Sequence, residues 1–174
     1  MSVELYVRSL AGGATRAPQE AAVERLSGLE RAGTVDEYAV RVWGRRVCPD
    51  GAAAETRAGQ FVLDRIERFR EWARRNGLSV EAFFDTHEVD RPVTRESYTA
   101  ITVPSLTLAE FRGDDLHRVT PCADGEAVYT VDDHLDALRA DDRPERDETN
   151  GETPTPGAPR IEGTLAPGPD GGEG

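Results

Sequence analysis

The sequence predicts an α/β domain with the element order β-α-β-α-β-β-α, and three patterns carry that expectation. Near the N-terminus Val3, Leu5 and Val7 alternate with Glu4, Tyr6 and Arg8, the period of a strand with one face turned inward. Between Ala53 and Asn76, Val62, Ile66, Phe69 and Ala73 recur at helical spacing and are widened by Leu63 and Trp72 into an apolar stripe that needs a sheet or another helix to cover it. Tyr98–Leu138 then reads as a strand, a turn at Arg112-Gly113-Asp114-Asp115, a second strand over Leu116–Val119 and a short capped helix, which is hairpin chemistry followed by a helix start.

In chain order, the first strand is expected at about residues 2–9, and Gly12-Gly13 breaks it. Pro18 suits the first turn of a helix whose Ala22, Val23, Leu26 and Leu29 share one face and which stops at Gly33. Val35–Val47 reads as the next strand, with Tyr38, Val40 and Val42 on one face, a bulge at Gly44-Arg45-Arg46, and a turn at Pro49-Asp50-Gly51. Gly77 ends the long helix, Ser79–Phe84 forms a helical turn, and His87–Glu96, which contains Pro92, reads as an exposed loop. Pro104 cannot donate to a ladder, so it belongs at the start or edge of a strand. Thr130 or Asp132 caps a final helix carrying Leu135 and Leu138. Helical crossovers make the first two strands parallel.

Composition limits the partners. The 174 residues carry 33 acidic and 21 basic residues, a formal charge of −12, and every basic residue is arginine. Such a surface suits high salt, where screening removes self-repulsion, and a halophilic, cytoplasmic setting follows. No apolar run spans a bilayer and no signal peptide is legible. After Ala140 nine acids, three arginines and abundant Pro, Gly and Thr replace the large apolar groups. The expected organisation is therefore a folded domain at 1–140 and a disordered acidic tail at 141–174.

The element order, Thr102-Val103-Pro104 ahead of a hairpin, and a last helix opened by Val131-Asp132-Asp133 resemble the thioredoxin and glutaredoxin superfamily. That resemblance implies a thioredoxin-like fold, a cis-proline at Pro104 beside the site, and an acidic pair near the ligand. The departure is decisive for chemistry. Redox exchange in that superfamily needs a thiolate at the start of the first helix, where the helix dipole lowers its pKa, and the chain has Ala11-Gly12-Gly13-Ala14-Thr15-Arg16-Ala17-Pro18 there. Under this resemblance Thr15, Arg16, Val103, Pro104, Asp132 and Asp133 line a surface for an anion or a peptide without exchanging disulfides. A ferredoxin-like sandwich is the alternative arrangement. Trp43-Gly44-Arg45-Arg46-Val47-Cys48-Pro49 and Thr120-Pro121-Cys122 are also similar to small acidic haloarchaeal proteins, some labelled helix-turn-helix.

Other chemistry has less support. Cys48 and Cys122 read as separate reduced thiols, and His87, His117 and His134 show no ligand spacing, so no metal or cofactor is expected and His134 is placed on the surface. Phosphate-cradling and nucleophile motifs are absent from the sequence. Arg45 and Arg46 could touch nucleic acid, but Asp64, Glu67 and Glu71 interleave with the arginines of the long helix, which favours a salt-bridged, solvated face. The leading expectation is a non-catalytic binding or adaptor module with a protein or peptide partner. A DNA-binding transcriptional regulator and a thiol-dependent redox protein using Cys48 or Cys122 are the alternatives.

Overall fold

The computed structural model describes residues 1–8, 16–91 and 96–141; Thr15 and the expected tail from 142 onward lie outside them. A four-stranded sheet is built on β1 (Ser2–Val7), which pairs in parallel with β2 (Glu37–Val42) and antiparallel with β6 (Leu106–Arg112); β6 in turn pairs antiparallel with β7 (Asp115–Thr120), giving the order β2-β1-β6-β7. The crossover from β1 to β2 carries α1 (Arg16–Ala32), as a parallel connection requires.

Alternation along β1 distributes its side chains to two cores. Val3, Leu5 and Val7 pack with Ala22, Leu26 and Leu29 of α1 and with Leu135 and Leu138 of α3 (Val131–Asp141). Tyr6 points the other way, into a core with Ala109, Phe111, Val119 and the stripe Val62, Ile66, Phe69 and Ala73 of α2 (Arg57–Arg75). The sheet is thus covered on both faces around its central strand, which explains why β1 contains no exposed position.

The opposite core extends into a second sheet that the sequence did not suggest. Its order is β3-β5-β4, from β3 (Arg46–Val47), β5 (Glu96–Thr102) and β4 (Thr86–Arg91). Of the segment 87–96, expected as a loop, residues 92–95 lie outside the described residues, and 87–91 with Glu96 instead join a β4–β5 ladder running from Thr86↔Ile101 to Arg91↔Glu96. Similarly, 35–47 is not one bulged strand. The chain leaves the central sheet after Val42, turns at Gly44 with φ 78°, and resumes as β3 beside β5. Trp43, at that exit, sits in an aromatic cluster with Tyr6 (ring centroids 4.7 Å apart), Phe84 (5.6 Å) and Phe69 (6.4 Å).

Two tight turns use glycine for its positive φ: Gly113 (63°) between β6 and β7, and Gly125 (57°) between β8 (Cys122–Asp124) and β9 (Ala127–Tyr129). The first is the hairpin expected from Arg112–Asp115. A 3-10 turn over Ala52–Glu55 runs into α2, which Thr56 caps by accepting the Gly59 N–H at 3.1 Å. Gly59 is required for contact: a Cβ there would lie 2.0 Å from the Ala53 carbonyl oxygen.

Pro104 occupies the three-residue link between β5 and β6 rather than a continuous strand. Its position two residues ahead of β6 leaves the ladder intact. The cis peptide among the described residues is Thr120-Pro121, so the cis geometry implied for Val103-Pro104 is not found. No helix among the described residues is long and apolar enough to cross a membrane.

Candidate functional site

Helix α3 is started by a reciprocal cap. The Asp133 N–H donates to the Thr130 hydroxyl at 3.2 Å, while the Asp133 carboxylate accepts from the Thr130 N–H at 2.8 Å and from its hydroxyl at 2.6 Å. Those bonds hold the Asp133 carboxyl below its usual range. With the start fixed, Val131, His134, Leu135 and Leu138 fall on the face that meets the sheet. His134 is therefore buried at 2% exposure, not on the surface. A helix stripe does not sort polar from apolar residues when a partner waits beneath it.

The partner is Glu110, also 2% exposed, on the same face of β6 as Leu106 and Leu108. His134 Nε2 lies 3.3 Å from a Glu110 carboxylate oxygen, and His134 Nδ1 lies 3.1 Å from the Thr120 hydroxyl. One tautomer satisfies all three groups: Nε2–H donates to Glu110, and the Thr120 hydroxyl donates to Nδ1. A bulge adds to this centre. Glu110 pairs with Arg118 but Phe111 pairs with Leu116, so His117 is the extra residue in β7. His117 then reaches to 3.9 Å from Glu110, and Arg112 to 3.4 Å.

Burial works to raise the Glu110 carboxyl, but the His134 hydrogen bond and the nearby His117 and Arg118 charge outweigh it, so Glu110 titrates below its ordinary value. Burial also acts on His134, and it prevails over the Glu110 hydrogen bond to hold the imidazole below its ordinary value. The two directions describe one state, a neutral imidazole donating to an ionised carboxylate. Both ring nitrogens are occupied and the ring is sealed from solvent, so the pair orients β6, β7 and α3 rather than shuttling protons.

A second polar cluster gathers arginines from β2 and α2. Glu4 on β1 takes Arg65 at 3.1 Å and Arg41 at 3.4 Å, and also accepts from the Tyr6 hydroxyl. Arg65 stacks over Phe61 (5.0 Å) and Phe111 (5.1 Å), and Arg68 lies over Phe111 while donating to the Asp114 carbonyl at 2.7 Å. Among the α2 arginines, Arg70 pairs with Glu81 and Arg75 with Glu71. Of the three acids expected to pair with these arginines Glu71 does so, while Arg65 and Arg70 take Glu4 and Glu81 from outside α2.

Several of the remaining expected site residues are engaged with partners of their own. Arg16 is exposed and pairs with Glu20 at 2.7 Å. Val103 is buried, and its carbonyl accepts from Arg8 Nε at 2.9 Å and from the same guanidinium's Nη2; the Arg8 N–H meets the Ser105 carbonyl, so the link around Pro104 is fastened to the end of β1. Asp132 is exposed and pairs with Arg25 at 3.0 Å, and Asp133 is spent on its cap. Arg45 and Arg46 are exposed and make no ion pair among the described residues. Cys48 and Cys122 are both free thiols; burial pushes the Cys122 thiol up, against the lowering effect of Arg118, so a nucleophilic thiolate is disfavoured there. Three or more potential metal ligands do not converge among the described residues.

Sequence reasoning missed Glu110, Arg8 and Arg118. The signal for Glu110 was present: in a strand of period two, Leu106, Leu108 and Glu110 share a face, and an acid on an inward face demands a buried partner.

By architecture the chain is a mixed α/β domain with a sealed Glu–His centre. A family model described as a helix-turn-helix domain matches residues 1–143, and the chain belongs to that family. No curated protein and no solved structure matches it. A helix-turn-helix unit joins two helices across a turn of about three or four residues; among the described residues, the helical segments nearest to that arrangement are the 3-10 turn at Ala52–Glu55 and α2, joined at Thr56.

Proposed function

We propose that this domain binds DNA as a transcriptional regulator, with the Ala52–Glu55 turn, the start of α2 and Arg45-Arg46 forming the contact face. Membership of a helix-turn-helix family over residues 1–143 is the observation that carries this reading. Charge adds support. Among the described residues Arg45, Arg46 and Arg57 are exposed without an ion pair, as Arg74 and Arg139 are elsewhere, and the first three lie near the α2 N-terminus in sequence, which adds the positive end of a helix dipole. Gln60, exposed one turn into α2, has the geometry to read adenine, as Arg57 has for guanine.

The net charge of −12 sets a condition on this function. Concentrated salt weakens phosphate contacts, so base contacts must supply much of the affinity. In fluorescence anisotropy with genomic fragments across a KCl series, Arg45→Ala/Arg46→Ala is expected to weaken binding and to reduce the salt slope by about 2, one for each phosphate contact removed. An unchanged affinity and slope in the double variant would remove this face from the proposal.

A second reading is favoured by the strand order. β2-β1-β6-β7 with only β6 antiparallel to the rest, α1 and α3 on one face and α2 on the other supports a thioredoxin-like topology over a ferredoxin-like sandwich. With no cysteine at the start of α1, such a domain would hold a protein or peptide without redox chemistry, at the link that Arg8 fastens. Capture of a partner in molar salt that is lost in Pro104→Ala is the expected result; capture that is indifferent to this change would sink the reading.

A further inference from the structure

We propose that the cavity at the β7 edge of the central sheet binds a small organic carboxylate with a flat apolar body, and that Arg118 takes the carboxylate. The cavity measures about 380 Å³, enough for a compact single-ring molecule, since small-molecule sites begin at about 300 Å³. Trp72, Leu78, Tyr129 and Ala137 form its walls, with Cys122 and His134 also lining it. The Trp72 indole N–H is fixed on the His117 carbonyl at 2.9 Å, so its ring is held in place as a wall, and Tyr129, 44% exposed, supplies a second aromatic surface. Two rings beside an apolar cavity suit a planar guest.

Arg118 gives the site its charge preference. The half-buried Arg8, Arg25, Arg65, Arg68 and Arg70 each hold a carboxylate or a carbonyl oxygen. Arg118, equally half-buried and lining the cavity, has no hydrogen bond or ion pair among the described residues. This is unexpected in a chain with 33 acids to 21 arginines. Its cross-strand neighbour is Glu110, but that carboxylate is already engaged by His134, Arg112 and His117. Asp133 lines the cavity too, and its carboxylate is taken by Thr130. A guanidinium in an apolar wall with its forked donors unused is complementary to a carboxylate.

The test is a ¹H–¹⁵N titration of the full chain in KCl buffer with benzoate, benzamide and inorganic phosphate as probes. Benzoate is expected to give saturable shifts at the Trp72 indole N–H and over residues 118–122. Benzamide and phosphate are expected to bind at least about tenfold more weakly, the first for lack of charge and the second for lack of an apolar body. Arg118→Gln should lose about tenfold in benzoate affinity while its remaining spectrum overlays that of the parent. Equal binding of benzamide or phosphate, an unaffected Arg118→Gln, or no shift with benzoate would each overturn the proposal. None of these outcomes touches the DNA-binding reading, which rests on a different surface.

Discussion

Phe69→Ala is expected to cost about 3–5 kcal/mol, the range for emptying a fully buried aromatic site. Phe69 has no exposed surface and stands edge-on to Tyr6 at 5.5 Å and to Phe84 at 6.0 Å, with Trp43 at 6.4 Å. Those neighbours come from β1, from the segment after α2 and from the exit of β2, so one ring supports the seam between the two sheets. A domain has about 5–15 kcal/mol in total, so this single change should remove a large fraction of it. Urea unfolding followed by tryptophan emission measures the effect. A loss below about 1 kcal/mol would mean that the cavity collapses or that the four rings do not interlock.

His134→Ala is expected to cost about 3 kcal/mol, because it leaves the Glu110 carboxylate buried without its closest partner. The same pair predicts how stability depends on pH. His134 has its pKa lowered on folding from an ordinary 6.5, so the unfolded chain takes up that proton first. Stability is therefore complete above about pH 6.5 and declines as the pH falls from there through the folded value. Glu110 is also lowered, from 4.5, and it adds a second loss of the same sign at more acid pH. Unfolding midpoints measured between pH 7.5 and 5 should fall in the parent and lose that part of their slope in His134→Ala. A parent midpoint that stays level across that window would contradict the neutral, buried state of His134.

Sequence patterns disclosed the central sheet well and the second sheet poorly, and particular residues show why. Strong periodicity marked β1 and α2, and Gly113 marked the β6–β7 turn, because burial on a fixed face imposes a repeat that can be counted. Residues 86–91 have no such repeat: Thr86-His87-Glu88-Val89-Asp90-Arg91 holds Val89 as its one apolar residue, and it becomes a strand because β5 offers it a ladder. The apolar run before Pro104 was legible as a strand, but nothing local states that it belongs to a different sheet from the run after it. That assignment is made by long-range pairing, β6 with β1 and β5 with β4, and Arg8 fastens the link between them across 95 positions. The expected Asp132 and Asp133 pair has a local explanation instead. Both carboxylates have local work, one with Arg25 and one as a cap, and acidic residues in the first turn of a helix need no ligand to explain them.

The doubled position in β7 has a consequence for inheritance of insertions and deletions. Leu116 faces α2 with Phe111, yet Val119 faces α2 as well, three positions later rather than two or four. His117 acts as a phase shifter between the two halves of the strand. A chain one residue shorter at this point would set Leu116 and Val119 two positions apart, so both would still face α2, Arg118 would stay opposite Glu110, and the ladder would simply become regular. Loss of residue 117 should therefore leave both halves of β7 in phase and forfeit only the approach of its imidazole to Glu110.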